Sequence, residues 1–316
     1  MLREMKKMEQ AARAAWLYFV AGKTQQEIAH ELGLSRQVAQ RLISLAKEQG
    51  MVHVQITHPI TECLKLATEI QEQYQLTHCY VVPSGELDAE SVLDMIAVAG
   101  AELMEQLIDK EEPQVIGIGS GRTLRHIIDA LPNLNTPQHQ CVSLIGAIAR
   151  DSSATRYDVP LSFAEKLHCR HYILPVPLYA DSPEDKAMWC QHRVYKDVTE
   201  KAINADITFL GIGEVGIGCP LNSEGFITDK QVAMLLEKGV AAEMLGHFIQ
   251  ANGERLSTEL DDTHTSVPLE AQTKKPVIAF SGGMHKYKAV KAVLNGRWIS
   301  GLVTDEATAR KLLTDA

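Results

Sequence analysis

A chain of 316 residues with 45% hydrophobic and 22% charged residues has an ordinary globular composition, with enough length for two domains and a sizeable core. No apolar run approaches the ~20 residues that span a bilayer, which excludes a helical membrane protein. The formal net charge of −9 argues against a uniformly basic nucleic-acid binder, yet the charge is unevenly placed. Residues 1–58 hold eight Lys+Arg against five Asp+Glu, and the remainder 23 against 35. A small basic head on an acidic body fits a DNA-reading module joined to a small-molecule domain. The start Met1-Leu2-Arg3-Glu4-Met5-Lys6-Lys7 has no apolar signal core, so a cytoplasmic location is expected. Cys63, Cys79, Cys141, Cys169, Cys190 and Cys219 form no C-x-x-C pair and read as reduced, mostly buried thiols.

Ala12, Ala15, Trp16, Phe19 and Val20 recur at helical spacing, and Gly22 ends that helix. Thr24-Gln25-Gln26-Glu27 then reads as a capping box opening a second helix through Ile28, Ala29 and Leu32. Gly33 stops it, and Ser35 caps a third helix to about Gln49. Two short helices about a glycine turn form the helix-turn-helix pattern. On the third helix Arg36, Gln37, Gln40, Arg41 and Ser44 share one face, with Val38, Ala39, Leu42, Leu45 and Ala46 on the other. A solvated face commonly mixes Glu and Lys, whereas this one has Arg and Gln and no acid. Arg pairs with guanine and Gln with adenine in the major groove. The candidate DNA-binding residues are therefore Thr24, Gln25, Ser35, Arg36, Gln37, Gln40 and Arg41. Val52, Val54 and Ile56 alternate with polar residues over Met51–Thr57, as in the wing of a winged helix, and Pro59 marks a domain boundary. Leu64, Ala67, Ile70 and Tyr74 form a further helical stripe, a linker or a dimerisation helix.

From Cys79 onward apolar runs alternate with helical segments. Strands are expected at Cys79–Val82, Val115–Ile118, Val142–Ile145, Tyr172–Leu174, Ile207–Leu210, Val277–Phe280 and Ile299–Val303. Helices are expected over Ala89–Leu107, Leu124–Leu131, Gly239–Ile249, Lys286–Leu294 and Glu306–Leu313, with polar loops at Arg150–Pro160 and Leu256–Ala271. This alternation predicts a parallel sheet covered on both faces.

In such sheets ligands bind beyond the carboxyl ends of the strands. Gly119-Ser120-Gly121-Arg122-Thr123 follows one strand and opens a helix, so its backbone N–H groups and the helix dipole suit an anion. Arg122 in the first helical turn conflicts with that dipole, and an anionic ligand would resolve the conflict; an ordinary turn with a solvated arginine is the simpler alternative. Ser281-Gly282-Gly283-Met284-His285-Lys286 repeats the arrangement. Asp305 reads as a helix N-cap or as a partner for a ligand hydroxyl. Gly211-x-Gly213-x-x-Gly216 matches a dinucleotide string, but Ile217-Gly218-Cys219-Pro220 does not continue it into a helix, so no nicotinamide cofactor is expected. No P-loop and no Ser/His/Asp signature is present, and His168-Cys169-Arg170-His171 lacks a second ligand cluster, so neither cofactor nor metal is expected.

Taken together, the ordered motifs resemble the SorC family of bacterial transcriptional regulators, related to DeoR. The likeness rests on Ala15–Ile56, Gly117–Leu124, Leu174-Pro175-Val176-Pro177-Leu178-Tyr179-Ala180, Leu210–Gly213, Ser281–Gly283 with Lys286, and Leu302–Ala309. It implies an α/β fold class: an N-terminal all-α winged helix-turn-helix over residues 1–58, and a Rossmann-like parallel-sheet domain over residues 59–316. The larger domain would be of the sugar-phosphate isomerase/deaminase type and would bind the effector and oligomerise. The resemblance further implies a phosphorylated sugar or polyol as effector and a homotetramer on operator DNA. By position, Gly119, Ser120, Gly121, Arg122 and Thr123 would hold the phosphate, with Gly282, Gly283 and Lys286 adding to the anion site. Glu243 and Asp305 would bind hydroxyls. Ala242 replaces an expected glycine, and Met284-His285 is bulky, and both bear on which ligand fits. A sugar-phosphate isomerase or deaminase on the same fold is the alternative function.

Overall fold

The computed structural model describes residues 2–52, 59–85, 87–148, 152 and 159–315. The chain divides into two compact units, Met1–His58 and Pro59–Ala316.

The first unit contains α1 (Leu2–Phe19), α2 (Gln25–Glu31) and α3 (Arg36–Glu48). Local chemistry sets their boundaries. Thr24 accepts a hydrogen bond from the Glu27 amide at 3.3 Å while the Glu27 carboxylate accepts from the Thr24 amide at 2.7 Å, completing the capping box. Gly33 takes φ +63 between α2 and α3, and Ser35 accepts from the Val38 amide. Replacing Ser35 by Ala should cost about 1 kcal/mol, read as a lower denaturation midpoint for this unit at unchanged slope.

The apolar faces differ from expectation by one step of rotation. On α1 the buried residues are Ala11, Ala14, Ala15 and Leu17, whereas Trp16 (58%) and Val20 (67%) are exposed. On α3 the packed stripe is Ala39, Leu42, Ile43 and Ala46, and Val38 lies on its flank, 39% exposed. Ala11, Ala14, Ala39 and Ala46 are fully buried in this core with Leu17, Leu42 and Ile43 packed among them, and Trp16, Val20 and Val38 stand at its margins. Met51 and Val52 are not in a strand, and the rest of the expected wing lies outside the described residues.

The second unit begins with α4 (Pro59–Tyr74), β1 (His78–Val82), α5 (Ala89–Ile108), β2 (Val115–Ile118), α6 (Arg122–Ala130) and β3 (Gln140–Ser143). It continues with α7 (Val159–Leu167), β4 (Arg170–Tyr172), α8 (Pro183–Gln191), α9 (Arg193–Ile203), β5 (Ile207–Gly211), α10 (Pro220–Ser223) and α11 (Asp229–Glu237). It ends with β6 (Val240–Met244), β7 (His247–Gln250), β8 (Arg255–Leu256), β9 (Val277–Phe280), α12 (Tyr287–Asn295), β10 (Gly301–Asp305) and α13 (Glu306–Thr314).

Seven strands form one sheet in the order β1-β10-β9-β5-β2-β3-β4, every pair parallel. Alternation along the strands divides the core between its faces. Ile116, Ile118, Phe209, Phe280 and Val303 pack with α5, α6 and α7. Val142, Leu210, Ala279 and Leu302 pack with α4, α9, α12 and α13. The stripe on α4 is thus part of this core, with Cys63, Leu66, Ala67 and Ile70 buried and Leu64 60% exposed. The helix is no free linker. Six cysteines are free thiols, and burial pushes Cys79 up to about 12.

One expected helix is wrong. Gly239–Ile249 is an antiparallel hairpin of β6 and β7, extended by β8. Ala, Glu and Met favour a helix by propensity, but Val240, Ala242 and Met244 are buried in strict alternation with Ala241 and Glu243. Leu245 (φ +53) and Gly246 (φ +84) supply the positive angles that a two-residue hairpin turn demands. In the expected loop before β4, Val159 and Pro160 already belong to α7, and the remainder lies almost wholly outside the described residues. Leu256–Ala271 is irregular apart from the end of β8, a 3₁₀ turn at Glu259–Asp262 and an isolated antiparallel bridge at His264.

Candidate functional site

The sheet order places the candidate crevice. From β2 the chain proceeds outward through β3 to β4, then returns to lay β5 on the other side of β2 and continues outward to β9 and β10. The carboxyl ends of β2 and β5 therefore face a topological switch point, where α/β sheets bind ligands. Ile118 pairs with Phe209, and the Gly119 amide extends the ladder to the Phe209 carbonyl at 2.9 Å. Ser120 after β2, and Gly211, Ile212 and Gly213 at and beyond the end of β5, line a cleft of about 140 Å³.

Gly121, at φ +121, is the N-cap of α6. Gly121 has no side chain to cap this helix, and its first residues, Arg122 and Thr123, line the cleft. Ser120, Gly121, Arg122 and Thr123 all line the cleft, with Arg122 exposed at its mouth. Lys286 enters from the turn after β9, half-buried, its Nζ 3.3 Å from the Ile212 carbonyl. Burial and the Arg122 guanidinium lower its pKa, while Glu214 and Glu243 oppose that shift; burial is the largest effect.

Glu243 projects from β6. Its backbone is bridged to Gly213 in both directions at 2.9 and 2.8 Å, and its Oε1 accepts from the Gly246 amide at 2.5 Å. Burial raises this carboxyl, and the Gly246 N–H and the Lys286 charge pull it back. A Cβ at Gly213 would stand 2.4 Å from Glu243 Oε2, so a side chain there would push the carboxylate out of its present position. That accounts for the Gly211-x-Gly213 string: both glycines line the cleft, one of them to admit a carboxylate. Leu178, Phe226 and Leu245 supply an apolar wall, and Glu224 a further acid. Neither Phe226 nor Glu224 carried a sequence signal, whereas Leu178 lies inside the Leu174–Ala180 motif.

Four expected site residues stand elsewhere. Gly119 is tight against Leu210 in the strand ladder, and Gly282, Gly283 and Asp305 are not among the residues lining the cleft. Asp305 is buried at the end of β10. Its Oδ2 accepts from the Gly283 amide at 2.5 Å and the Thr308 hydroxyl at 2.6 Å, and its Oδ1 caps α13 through the Thr308 amide at 3.1 Å. A Cβ on Gly282 would lie 2.6 Å from the same carboxylate. The glycine pair and Asp305 tie β9 to β10 and so aim the turn that delivers Lys286.

In the first unit, Arg36, Gln37, Gln40, Arg41 and Ser44 are all exposed along one side of α3, with Val38 beside them. Thr24 is exposed and Gln25 half-buried at the start of α2. The Thr24 hydroxyl donates to Glu27 at 2.7 Å, so its first role is the cap.

Residues 58–314 match the family model of the sugar-binding domain. The chain belongs to the sugar-binding-domain family of SorC-type transcriptional regulators. It is 37% identical to the erythritol catabolism regulatory protein EryD of Brucella abortus, over 96% of each chain. It is 31% identical to the transcriptional regulator LsrR of Enterobacter sp., covering 96% of this chain and 93% of the relative. The full-length sorbitol operon regulator SorC of Klebsiella pneumoniae superposes with a TM-score of 0.73 at 27% identity, over 98% of this chain and 99% of that one. These relatives are regulators, not enzymes. Among the described residues no helix is long and apolar enough to cross a membrane.

Proposed function

We propose that this protein is a DNA-binding regulator of a carbohydrate or polyol catabolic operon, controlled by a phosphorylated sugar or polyol in the β2–β5 crevice. One observation carries the effector reading: the glycine-started N-terminus of α6 and the Lys286 amine share a cleft with the Glu243 carboxylate. The first pair suits a phosphate, and the carboxylate accepts from a hydroxyl. The small cleft and the relative named for erythritol catabolism favour a short polyol chain. Effector binding would bias the protein between conformations of different operator affinity, in a homotetramer whose mass light scattering would report. Asp305, a candidate base in an isomerase or deaminase, has both oxygens engaged in capping and turn contacts, which favours a binding role over catalysis.

Thermal-shift titration with polyol and sugar phosphates, each beside its unphosphorylated parent, tests the reading. A phosphate ester at about 100 times its Kd should stabilise the native state by roughly 2.7 kcal/mol. Arg122→Ala and Lys286→Ala should lose most of that response. A shift produced by the unphosphorylated parent alone would overturn the phosphate assignment.

A further inference from the structure

Leu174–Ala180 contributes Leu178 to the cleft, and its next residue has a different task. The two-residue turn Leu245-Gly246 joins the strand bearing Glu243 to β7, and Leu245 is a bulky residue at φ +53, a conformation that its own preferences disfavour. Both carbonyls of the turn are captured. The Tyr179 hydroxyl donates to the Gly246 carbonyl at 2.9 Å, and His264 Nε2 lies 2.8 Å from the Leu245 carbonyl. The same turn presents the Gly246 amide to Glu243 Oε1 and the Leu245 side chain to the cleft. Neither Tyr179 nor His264 lines that cleft.

Their own positions are fixed. Tyr179 and His264 face each other across an antiparallel bridge, flanked by hydrogen bonds from Ala180 to Thr263 at 2.8 Å and from Thr265 to Leu178 at 3.1 Å. The rings lie 5.3 Å apart, and His247 stacks edge-on against His264 at 4.3 Å. Gly246 is held close enough that a Cβ would stand 2.3 Å from His264 Nε2. The only protons aimed at the turn carbonyls from these two side chains are a phenol O–H and an imidazole N–H, so His264 carries its proton on Nε2.

We infer that Tyr179 and His264 are positioning residues of the effector site: they hold the strained Leu245-Gly246 turn, and through it set the Glu243 carboxylate and the Leu245 wall against the polyol part of the ligand. The ligand class rests on the proposed effector; the clamp on the turn does not.

The test uses the full-length chain with His264→Ala, His264→Gln and Tyr179→Phe. Gln carries an N–H donor at comparable reach, so it is the conservative variant. The probes are a panel of three- to six-carbon polyol phosphates and inorganic phosphate alone. His264→Ala and Tyr179→Phe should weaken the polyol phosphate by about tenfold or more, with inorganic phosphate bound as in the wild type and His264→Gln restoring most of the loss. Equal binding by all variants, equal loss of both probes, or a Gln variant no better than Ala would overturn the assignment. Hydrogen exchange at the Gly246 amide gives a reading independent of any ligand. It should accelerate in His264→Ala and return toward wild type in His264→Gln, and unchanged exchange in His264→Ala would also overturn the clamp. If the wild type binds none of the phosphate esters, the effector reading falls while the exchange comparison still decides the clamp.

Discussion

Arg36→Ala combined with Gln40→Ala should reduce operator affinity by about 100-fold or more while leaving the effector-induced rise in melting temperature intact. Both side chains are exposed on α3, one turn apart, in a helix whose opposite face is packed against α1 and α2. Each bidentate Arg–guanine or Gln–adenine contact is worth about 1–3 kcal/mol, and base contacts cluster near the start of a recognition helix. Removing them leaves the Ala39, Leu42, Ile43 and Ala46 stripe untouched, so the unit should still fold. Arg41 tests the other class of contact. If it meets a phosphate, Arg41→Ala weakens binding to all sequences alike and reduces the salt slope by about 1. Fluorescence anisotropy on operator and scrambled duplexes at several salt concentrations separates the two. Undiminished operator affinity in the double variant would remove α3 from the recognition role.

How legible the site was depended on whether the chemistry was local. Ser120–Thr123 and Lys286 are readable as candidates because a strand, glycines and a helix start lie in one short stretch, and these five residues line one cleft. Thr24 and Ser35 were readable because capping is a contact between near neighbours. The seven strands of the parallel sheet lie within two residues of where the apolar runs put them, since a sheet buried on both faces demands continuous apolar runs. The sequence points to Glu243 as a ligand residue but to a helix around it, because its stretch is composed of good helix formers and the hairpin is fixed by contacts distant in sequence. Tyr179, His264 and Gly213 all act on that hairpin from other segments, 67, 19 and 30 residues away. Asp305 shows the converse: one residue type serves capping and hydroxyl binding equally well, and only the positions of Gly283 and Thr308 reveal the first use.

Acidification gives the other large expected effect. Burial, with His247 close by, holds His264 down to about 3 from the ordinary 6.5, and burial also lowers His247. Arg255 and Lys186 add to the depression at one or both rings, while Asp261 and the carbonyl contacts oppose it. Between pH 6.5 and 3 the unfolded chain binds a proton at His264 that the folded chain refuses. The stability from neutral His264 is therefore fully present above pH 6.5 and falls as the pH drops through that window. From pH 7.5 to 5 the loss from this residue is about 2 kcal/mol. Glu243 works in the opposite sense, because its raised carboxyl keeps a proton in the fold at pH values where the unfolded chain has lost it. The decisive quantity is therefore a difference between variants. His264→Gln keeps a donor for the Leu245 carbonyl but has no titrating ring, so its stability should decline more shallowly than the wild type between pH 6.5 and 5. Parallel decline of the two, followed by urea denaturation across that range, would show that His264 does not refuse the proton in the folded state.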